Sequence, residues 1–417
     1  MTLYQRLQNE LSNHREFWNY YGMDAKEVLQ SGKVARKFIS DYFARGSKHY
    51  VLDSQTDCEN KYINTRNVHT VNVFFIGAFL QRKIDEYLAI KSDVTSDYPF
   101  SYLWYLLCLA HDFGYKYENH SKAYLNIPAR RNYLRQNDFF TECNSRFEAR
   151  ENWYKEHGMN ILYINPPYGD RSRWRYVIPR EMQEQNENIA FNNGTIINRP
   201  RYSRTTINNY FHYRLNEMKT LDHGIVGADD FFSRLFINYV SEYTKMANRS
   251  KTKVDFSNFH NERGLHFCSE QFKIFAYLAD CISSHNIYKA GDDAASETKY
   301  QKYGLNCLVG DKFKHISYRD NPLLFILCVA DTIEPSKRFP HYSNARLLNL
   351  ISIDCNVDTN TLFIELDESL YNSPAGRKYV ASIEGLNDWC DIEATVAAVR
   401  FSDKCLSVQT VSCNQIV

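Results

Sequence analysis

Several histidine and aspartate side chains stand at the ends of apolar runs, in positions that could carry chemistry. His111 and Asp112 follow the run SYLWYLLCLA, His285 closes the run FAYLADCISSH, and Asp331 follows LLFILCVA. A polar or charged group beside a buried segment is costly unless it is paired or binds a metal ion. Imidazole and carboxylate together suit Fe, Mn, Zn, Co or Ni better than Ca. The pattern therefore predicts a site for a divalent transition metal.

Two further histidines have comparable positions. His69 stands just before the run VNVFF, and His223 opens the segment HGIVGA. Each histidine taken alone is more often a hydrogen-bonded core residue than a ligand, and Asp331 alone could cap the turn that follows it. Metal ions held by such side chains lower the pKa of bound water and offset the charge on a phosphate. Together the histidines and aspartates are harder to explain as core residues than any one of them alone.

Mostly helical elements must position these side chains. Residues 1–50 alternate charged and apolar positions at helical spacing, which predicts two helices, the second closed by Gly46. A long helical pattern carries His69, and a buried helix carries the His-Asp pair and breaks at Gly114. Further helical patterns cover residues 209–247, 269–288 and 320–333.

The middle and the end of the chain differ from this helical pattern. Residues 120–208 are rich in Pro, Asn and Arg and lack a strong period, which predicts an insertion of loops, short strands and one helix near 139–157. Beyond about residue 345 the pattern predicts two strands around an Asp-Thr-Asn turn, a helix, and a last strand near LSVQTV. The predicted fold is mainly α, with N-terminal helices (1–50), a helical core (51–120 and 209–345), a basic aromatic insertion (121–208) and a small α+β appendage (346–417).

Composition limits the classes of protein to consider. Hydrophobic residues make up 44% and charged residues 24% of the chain, as in a folded soluble protein. The net charge of +1 argues against nucleic-acid binding by overall charge, while a local basic patch stays open. None of the eleven cysteines forms a C-x-x-C pair, which argues against a zinc knuckle. There is no signal-peptide pattern and no apolar run of membrane-spanning length, so we expect a cytoplasmic protein without a membrane partner.

A family resemblance rests on the order of these pieces along the chain. The pieces are R-x-x-H from Arg66 to His69, H-D at His111-Asp112, H-G-x-x-G-A from His223, a single His285, and A-D at Ala330-Asp331. This order resembles the HD superfamily of metal-dependent phosphohydrolases over residues 60–120 and 210–340, and it implies an HD-domain helical bundle as the core. The segment VADTIEPSKR is most similar to the A-D-x-I-E-P-x-R run of the two-metal symmetrical dinucleoside tetraphosphate hydrolases. The general order is also similar to that of the cyclic-dinucleotide phosphodiesterases.

The resemblance implies a set of metal ligands and their division between two ions. The implied ligands are His69, His111, Asp112, His223, His285 and Asp331. Asp112 would bridge the two ions, and His223 and His285 would hold the second one. The implied ions are Fe, Mn, or Zn, Co or Ni, with Mg as an alternative.

The resemblance also implies residues that act on the substrate. Asp112 and Arg66 are the implied catalytic residues, together with Lys116, which is shifted by one position from the lysine that often follows the pair in these relatives. Arg66 would contact a phosphate. Arg338, matched to the arginine of the E-P-x-R run, would do the same, and a salt bridge to a residue such as Glu334 is an equal alternative.

The insertion adds candidate substrate contacts. Residues 116–205 hold 15 Lys or Arg against 10 Asp or Glu, and the arginines cluster with aromatic residues in ARRNYLR, DRSRWRY and RPRYSR. Arginine forks suit phosphates, and Tyr or Trp rings suit base stacking. We therefore expect Arg173, Arg175 and Tyr115 to bind substrate. The insertion could equally be a solvated segment, and its other possible roles are a lid, an effector site or an oligomer contact. The appendage could bind an effector, build an oligomer interface or cap the fold.

These expectations define a preferred function and its rivals. The favoured activity is hydrolysis of a nucleoside or deoxynucleoside triphosphate. The resemblance to some large members of the superfamily implies a role in antiviral nucleotide depletion. Dinucleoside polyphosphates and cyclic nucleotides are the alternative substrates. A non-catalytic module that senses a nucleotide is the alternative from another class. We expect a homo-oligomer, a nucleotide partner and no nucleic-acid partner.

Overall fold

The computed structural model of the chain describes residues 1–13, 62–93, 97–115, 118, 161–164, 176–179, 188–198, 200–228, 231–232, 269–356, 361–395, 399–400 and 403–410. Over these residues the protein is mostly helical with a few small sheets, which confirms the predicted mainly α class. The chain divides into two compact units. The first unit comprises Met1–Leu109, Ala190–Ile197 and Lys314–Val417, and the second comprises Ala110–Ile189 and Asn198–Phe313.

The described helices and strands follow one another in this order. The helices are α1 (Leu3–Asn13), α2 (Tyr62–Ile84), α3 (Phe100–Ala110), α4 (Arg204–Glu217), α5 (Ser269–Ser284), α6 (Ala294–Lys302), α7 (Pro322–Ile333), α8 (Asn344–Asn349), α9 (Glu368–Tyr371) and α10 (Pro374–Glu384). The strands are β1 (Ala89–Ile90), β2 (Tyr98–Pro99), β3 (Ile161–Ile164), β4 (Tyr176–Pro179), β5 (Ile189–Ala190), β6 (Ile196–Ile197), β7 (Ile351–Asn356), β8 (Thr361–Leu366), β9 (Ile392–Thr395), β10 (Val399–Arg400) and β11 (Asp403–Thr410). Single 3-10 turns cover Asn306–Leu308, Gly310–Lys312 and Gly385–Asp388.

Helix α7 is buried within the first unit. Its residues from Pro322 to Ala330 are all buried, and a helix that is apolar on every side must be surrounded by other elements. Asn321 caps its first turn by accepting a hydrogen bond from the Leu324 amide, and Pro322 stands where a missing N–H costs nothing. Helices α2 and α10 pack against α7. The end of α7, which carries Asp331, is thereby held in place.

The C-terminal part of the first unit contains an antiparallel sheet. Its strand order is β10-β11-β8-β7, and β9 also pairs with β11. Ile353 of β7 lies opposite Ile364 of β8, and both are buried, whereas Asp354 and Glu365 beside them are exposed. This alternation turns one face of the sheet toward the core. It confirms the two strands predicted beyond residue 345.

The second unit contains α4, α5 and α6, and a helical segment at residues 223–228. Side-chain caps begin two of these helices: Ser203 accepts from the Thr206 amide at α4, and Asp293 accepts from the Ser296 amide at α6. The hydroxyl of Tyr210 on α4 donates to a backbone carbonyl just after α5. The Tyr210 hydrogen bond holds the chain just after α5, next to the predicted ligand His285.

The remaining predictions of organisation have mixed outcomes. Helix α1 lies within the predicted N-terminal helices, while Gly46 and the predicted helix near 139–157 lie outside the described residues. The predicted boundaries between core, insertion and appendage stay a prediction. No described helix combines the length and the apolar character that crossing a bilayer requires.

Candidate metal centre

The predicted His-Asp pair lies in a turn directly after α3. Residues 111–114 form this turn, His111 is fully buried, and the Asp112 side chain is 7% exposed. A Cβ on Gly114 would lie 1.8 Å from the backbone oxygen of His223, so only glycine permits this approach. The turn therefore sits directly against the segment that begins at His223.

The second segment of the centre is the helix at residues 223–228. Asp222 caps this helix, since its Oδ1 accepts a hydrogen bond from the Ile225 amide at 2.9 Å. A Cβ on Gly224 would lie 2.9 Å from the backbone oxygen of Ile282, near the end of α5. The backbones at 224 and 282 are thus in close contact, which brings His223 to the end of α5 and to His285.

These contacts place four predicted ligands together in the second unit. Asp112, His223 and His285 each offer one ligand atom, and these three atoms lie within 4.8 Å of one another. The Nε2 of His111 lies 3.3 Å from Asp112 Oδ1, and the ring centroids of His111 and His285 are 5.5 Å apart. The donors are imidazole nitrogens and a carboxylate oxygen, all mostly buried. This set could hold a transition-metal ion.

Hydrogen bonds on the far side of two rings determine which nitrogen is offered. The Nδ1 of His223 lies 2.7 Å from Glu118 Oε2, and the Nδ1 of His285 lies 2.5 Å from the backbone oxygen of Ile282. An ionised carboxylate and a carbonyl only accept hydrogen bonds, so each Nδ1 carries the proton. Each Nε2 is left with its lone pair, which is the form that binds a metal. Hydrogen bonds of this kind, on the ring nitrogen that faces away from the metal, commonly accompany ligating histidines. The His223 and His285 side chains therefore fit a metal ion.

The first unit holds two further predicted ligands, His69 on α2 and Asp331 on α7. The Nε2 of His69 lies 2.9 Å from Asp331 Oδ1, and its Nδ1 lies 2.6 Å from Glu334 Oε2. Glu334 is buried and also accepts hydrogen bonds from Asn72 Nδ2 and from the Ser336 amide and hydroxyl. His69 is therefore held in one orientation by an anchored carboxylate.

The electrostatics of His69 and Glu334 follow from this contact. Burial lowers the pKa of His69 and the Lys337 ammonium lowers it further, but Glu334 and Asp331 outweigh both, so the pKa lies above its usual value. Burial raises the pKa of Glu334, but His69 and the hydrogen bonds to Glu334 lower it more, so its pKa lies below its usual value. The two shifts favour the charged forms of both side chains.

The basic residues after Glu334 correct one prediction. Arg338 is exposed and forms no ion pair with any described residue, so the alternative of a salt bridge to Glu334 is wrong. Counting along the run Glu-Pro-x-Arg places Lys337, not Arg338, at the position of its last residue. The Lys337 Nζ lies 2.9 Å from Asp331 Oδ1. Lys337 is thus the cation beside the predicted ligand Asp331, and the match of Arg338 to the arginine of the run is wrong by one position.

The other predicted substrate contacts are only partly described. Arg66 belongs to α2, but its side chain lies outside the described residues, as do Lys116, Arg173 and Arg175. The ring of Tyr115 stacks on the ring of His223, with centroids 3.8 Å apart. The structure thus places Tyr115 against a candidate ligand, and its contact with substrate stays a prediction. That the ligands of the two units form one two-metal centre also stays a prediction.

Sequence reasoning missed the residues that hold the ligands in place. These are Glu118, Asp222, Asn286 and Glu334, all of them buried. Asp222 and Asn286 were detectable as polar neighbours of His223 and His285, and Glu334 as part of the Ala-Asp-x-Ile-Glu-Pro run. Glu118 carried no signal beyond its charge.

Models of known protein families, curated proteins and solved structures gave no match to this chain.

Proposed function

We propose that this chain is a metal-dependent phosphohydrolase of the HD superfamily that cleaves a phosphoester or phosphoanhydride bond of a nucleotide. One observation carries the proposal. Asp112, His223 and His285 converge within 4.8 Å, while Glu118 and the Ile282 carbonyl hold the far nitrogens of the two rings. A purely structural histidine needs no second imidazole and carboxylate facing the same point.

The chemistry divides between the ion and the protein. A bound divalent metal of this class lowers the pKa of water and stabilises negative charge on phosphoryl oxygens. The chain supplies the two imidazoles and the Asp112 carboxylate as ligands, and Glu118 keeps the His223 Nδ1 protonated. The site is mostly buried, which strengthens the attraction between the protein's charged groups and a phosphate. Arg66 is the proposed phosphate contact, on the resemblance alone.

The favoured substrates are nucleoside and deoxynucleoside triphosphates. The arginine-aromatic clusters of the insertion support this choice, since such residues grip phosphates and stack on bases. Dinucleoside polyphosphates and cyclic nucleotides are the alternatives. His69 and Asp331 would add ligands for a second ion. Two ions per chain in elemental analysis would support all six proposed ligands, whereas one ion per chain would support a site for a single ion.

The test is release of phosphate or pyrophosphate from a nucleotide panel with added Mn²⁺ or Fe²⁺. The panel contains ribo- and deoxyribonucleoside triphosphates, dinucleoside tetraphosphates and cyclic mono- and dinucleotides. Asp112→Asn keeps the side-chain volume but removes the charge, and we expect it to abolish both turnover and metal retention. Asp320→Asn makes the same change in an exposed pair with Lys314 and should leave both intact. Tight nucleotide binding with no turnover across the panel would overturn the proposed enzymatic activity and favour a nucleotide-sensing module.

A further inference from the structure

The carboxylate of Asp222 is fully buried and stands one residue before His223. A buried carboxylate is costly unless its lone pairs accept hydrogen bonds and its charge is compensated. The Oδ1 of Asp222 caps the helix at residues 223–228 through the Ile225 amide. Its Oδ2 has different partners: Asn286 Nδ2 at 2.5 Å and Arg214 Nε at 3.5 Å.

Asn286 stands next to the candidate ligand His285, as Asp222 stands next to His223. It directly follows His285, and it is 4% exposed. Its amide group must turn Nδ2 toward Asp222, because an ionised carboxylate can only accept. Its backbone oxygen accepts a hydrogen bond from the Tyr210 hydroxyl at 3.0 Å, which holds the chain at this point.

The hydrogen bond between Asp222 and Asn286 therefore joins the two chain positions next to two candidate ligands. The bonded residues are 64 positions apart in the sequence. Consecutive Cα atoms are about 3.8 Å apart across a rigid trans peptide, so residues 223 and 285 follow any movement of residues 222 and 286. The Asn286 Nδ2 also lies 3.4 Å from the Nδ1 of His223, against the imidazole itself.

We propose that Asp222 and Asn286 form a positioning pair that sets the separation of the His223 and His285 imidazoles for one metal ion. Arg214 compensates the charge of Asp222. Neither residue of the pair is a metal ligand in this proposal, and each acts through the histidine beside it. The inference rests on the proposed metal site, and its test uses the metal alone so that it does not depend on finding the substrate.

The test compares Co²⁺ binding by calorimetry and the visible absorption spectrum of the Co²⁺ complex in the full chain. Asp222→Asn keeps the cap on Ile225 but removes the negative charge that faces Asn286 Nδ2 and Arg214, which weakens the hydrogen bond of the pair. Asn286→Ala removes the donor while Arg214 still faces Asp222. We expect each variant to bind Co²⁺ about 10- to 100-fold more weakly, as for other outer contacts of ligands. We also expect an altered absorption spectrum.

A swap and a control separate positioning from general stability. The double variant Asp222→Asn with Asn286→Asp restores a donor and an acceptor in reversed order, and we expect it to recover most of the lost affinity and the original spectrum. Tyr300→Phe removes a hydrogen bond from a buried hydroxyl to the Tyr288 carbonyl, away from the positioning pair, and it should lower the melting temperature without changing the spectrum. If Asp222→Asn does not fold, Asn286→Ala provides the same comparison.

The possible failures are distinguishable. A wild-type chain that binds no Co²⁺ or Mn²⁺ would overturn the proposed function and the positioning pair together. A wild-type chain that binds metal, with folded Asp222→Asn and Asn286→Ala variants of unchanged affinity and spectrum, would overturn the positioning pair alone. Weakened binding in both single variants with no recovery in the swap would also overturn it, since the pair would then not act through its mutual hydrogen bond.

Discussion

Glu118 offers the sharpest test of how the candidate centre is held. Its Oε2 lies 2.7 Å from the Nδ1 of His223, and both side chains are buried. Replacing Glu118 by Ala removes the partner of that nitrogen while leaving every proposed ligand in place. The ring of Tyr115 still stacks on His223, so the imidazole should lose its hydrogen bond rather than swing away. The expected effect is weaker metal binding in a folded protein.

The size of the effect follows from the kind of hydrogen bond. Loss of an outer contact to a ligating histidine typically costs 10- to 100-fold in metal affinity, or about 1.4 to 2.7 kcal/mol. Glu118→Gln keeps an acceptor but removes the charge, and a charge-assisted hydrogen bond is roughly twice as strong as a neutral one. We therefore expect Gln to lose about half of that free energy, which is roughly a 3- to 10-fold weaker affinity.

The assay is calorimetric titration of Mn²⁺ into the metal-free protein, with the far-ultraviolet circular dichroism spectrum as a check of folding. Glu10→Gln is the matched control, because Glu10 is also buried and forms an ion pair with Arg82 in the first unit. It should lower stability and leave the metal affinity unchanged. A folded Glu118→Ala protein that binds Mn²⁺ as tightly as the wild type would refute the role of Glu118 in orienting His223.

Two further changes test other parts of the same structure. Gly114→Ala places a Cβ 1.8 Å from the His223 carbonyl oxygen, and it should abolish metal retention and lower the melting temperature. Gly385→Ala is the control: it has open space around it and should change neither metal retention nor the melting temperature. The raised pKa of His69 means that its contribution to stability is complete below its unfolded pKa and is lost as pH rises through the folded one. Glu334→Gln should therefore flatten the fall in stability of the metal-free protein above about pH 6.5, measured by urea unfolding; an unchanged pH dependence would contradict the pairing.

Three of the four candidate ligands of the second unit could be predicted because each one interrupts a strong local pattern. His111 and Asp112 end the apolar run that becomes α3, and His285 ends the one that becomes α5. Helical periodicity over ten or more residues and alternation over six residues are local signals. Helices and strands that carry such a signal can therefore be predicted from the sequence. The β7–β8 hairpin beyond residue 350 is one example.

The contacts that orient the ligands could not be predicted, because they join distant parts of the chain. Glu118 meets His223 across 105 positions, and Asp222 meets Asn286 across 64. No periodic pattern relates such pairs, and a single glutamate in a polar segment reads as a solvated residue. Their pairing becomes visible only when the backbone brings three segments together.

The glycines beside the ligands explain why the motif has its spacing. Gly224 lets the helix at 223–228 approach the Ile282 carbonyl, and a Cβ on Gly227 would lie 2.8 Å from the amide nitrogen of Gly114. Positions 224 and 227 are three apart, so they lie on one face of a helix, and that face meets the two neighbouring segments. The candidate ligand His223 stands at the start of the same helix, where the backbone contacts fix it. The pattern His-Gly-x-x-Gly therefore encodes close packing of backbones as much as chemistry, and larger residues at these positions would separate the imidazoles before they altered any ligand.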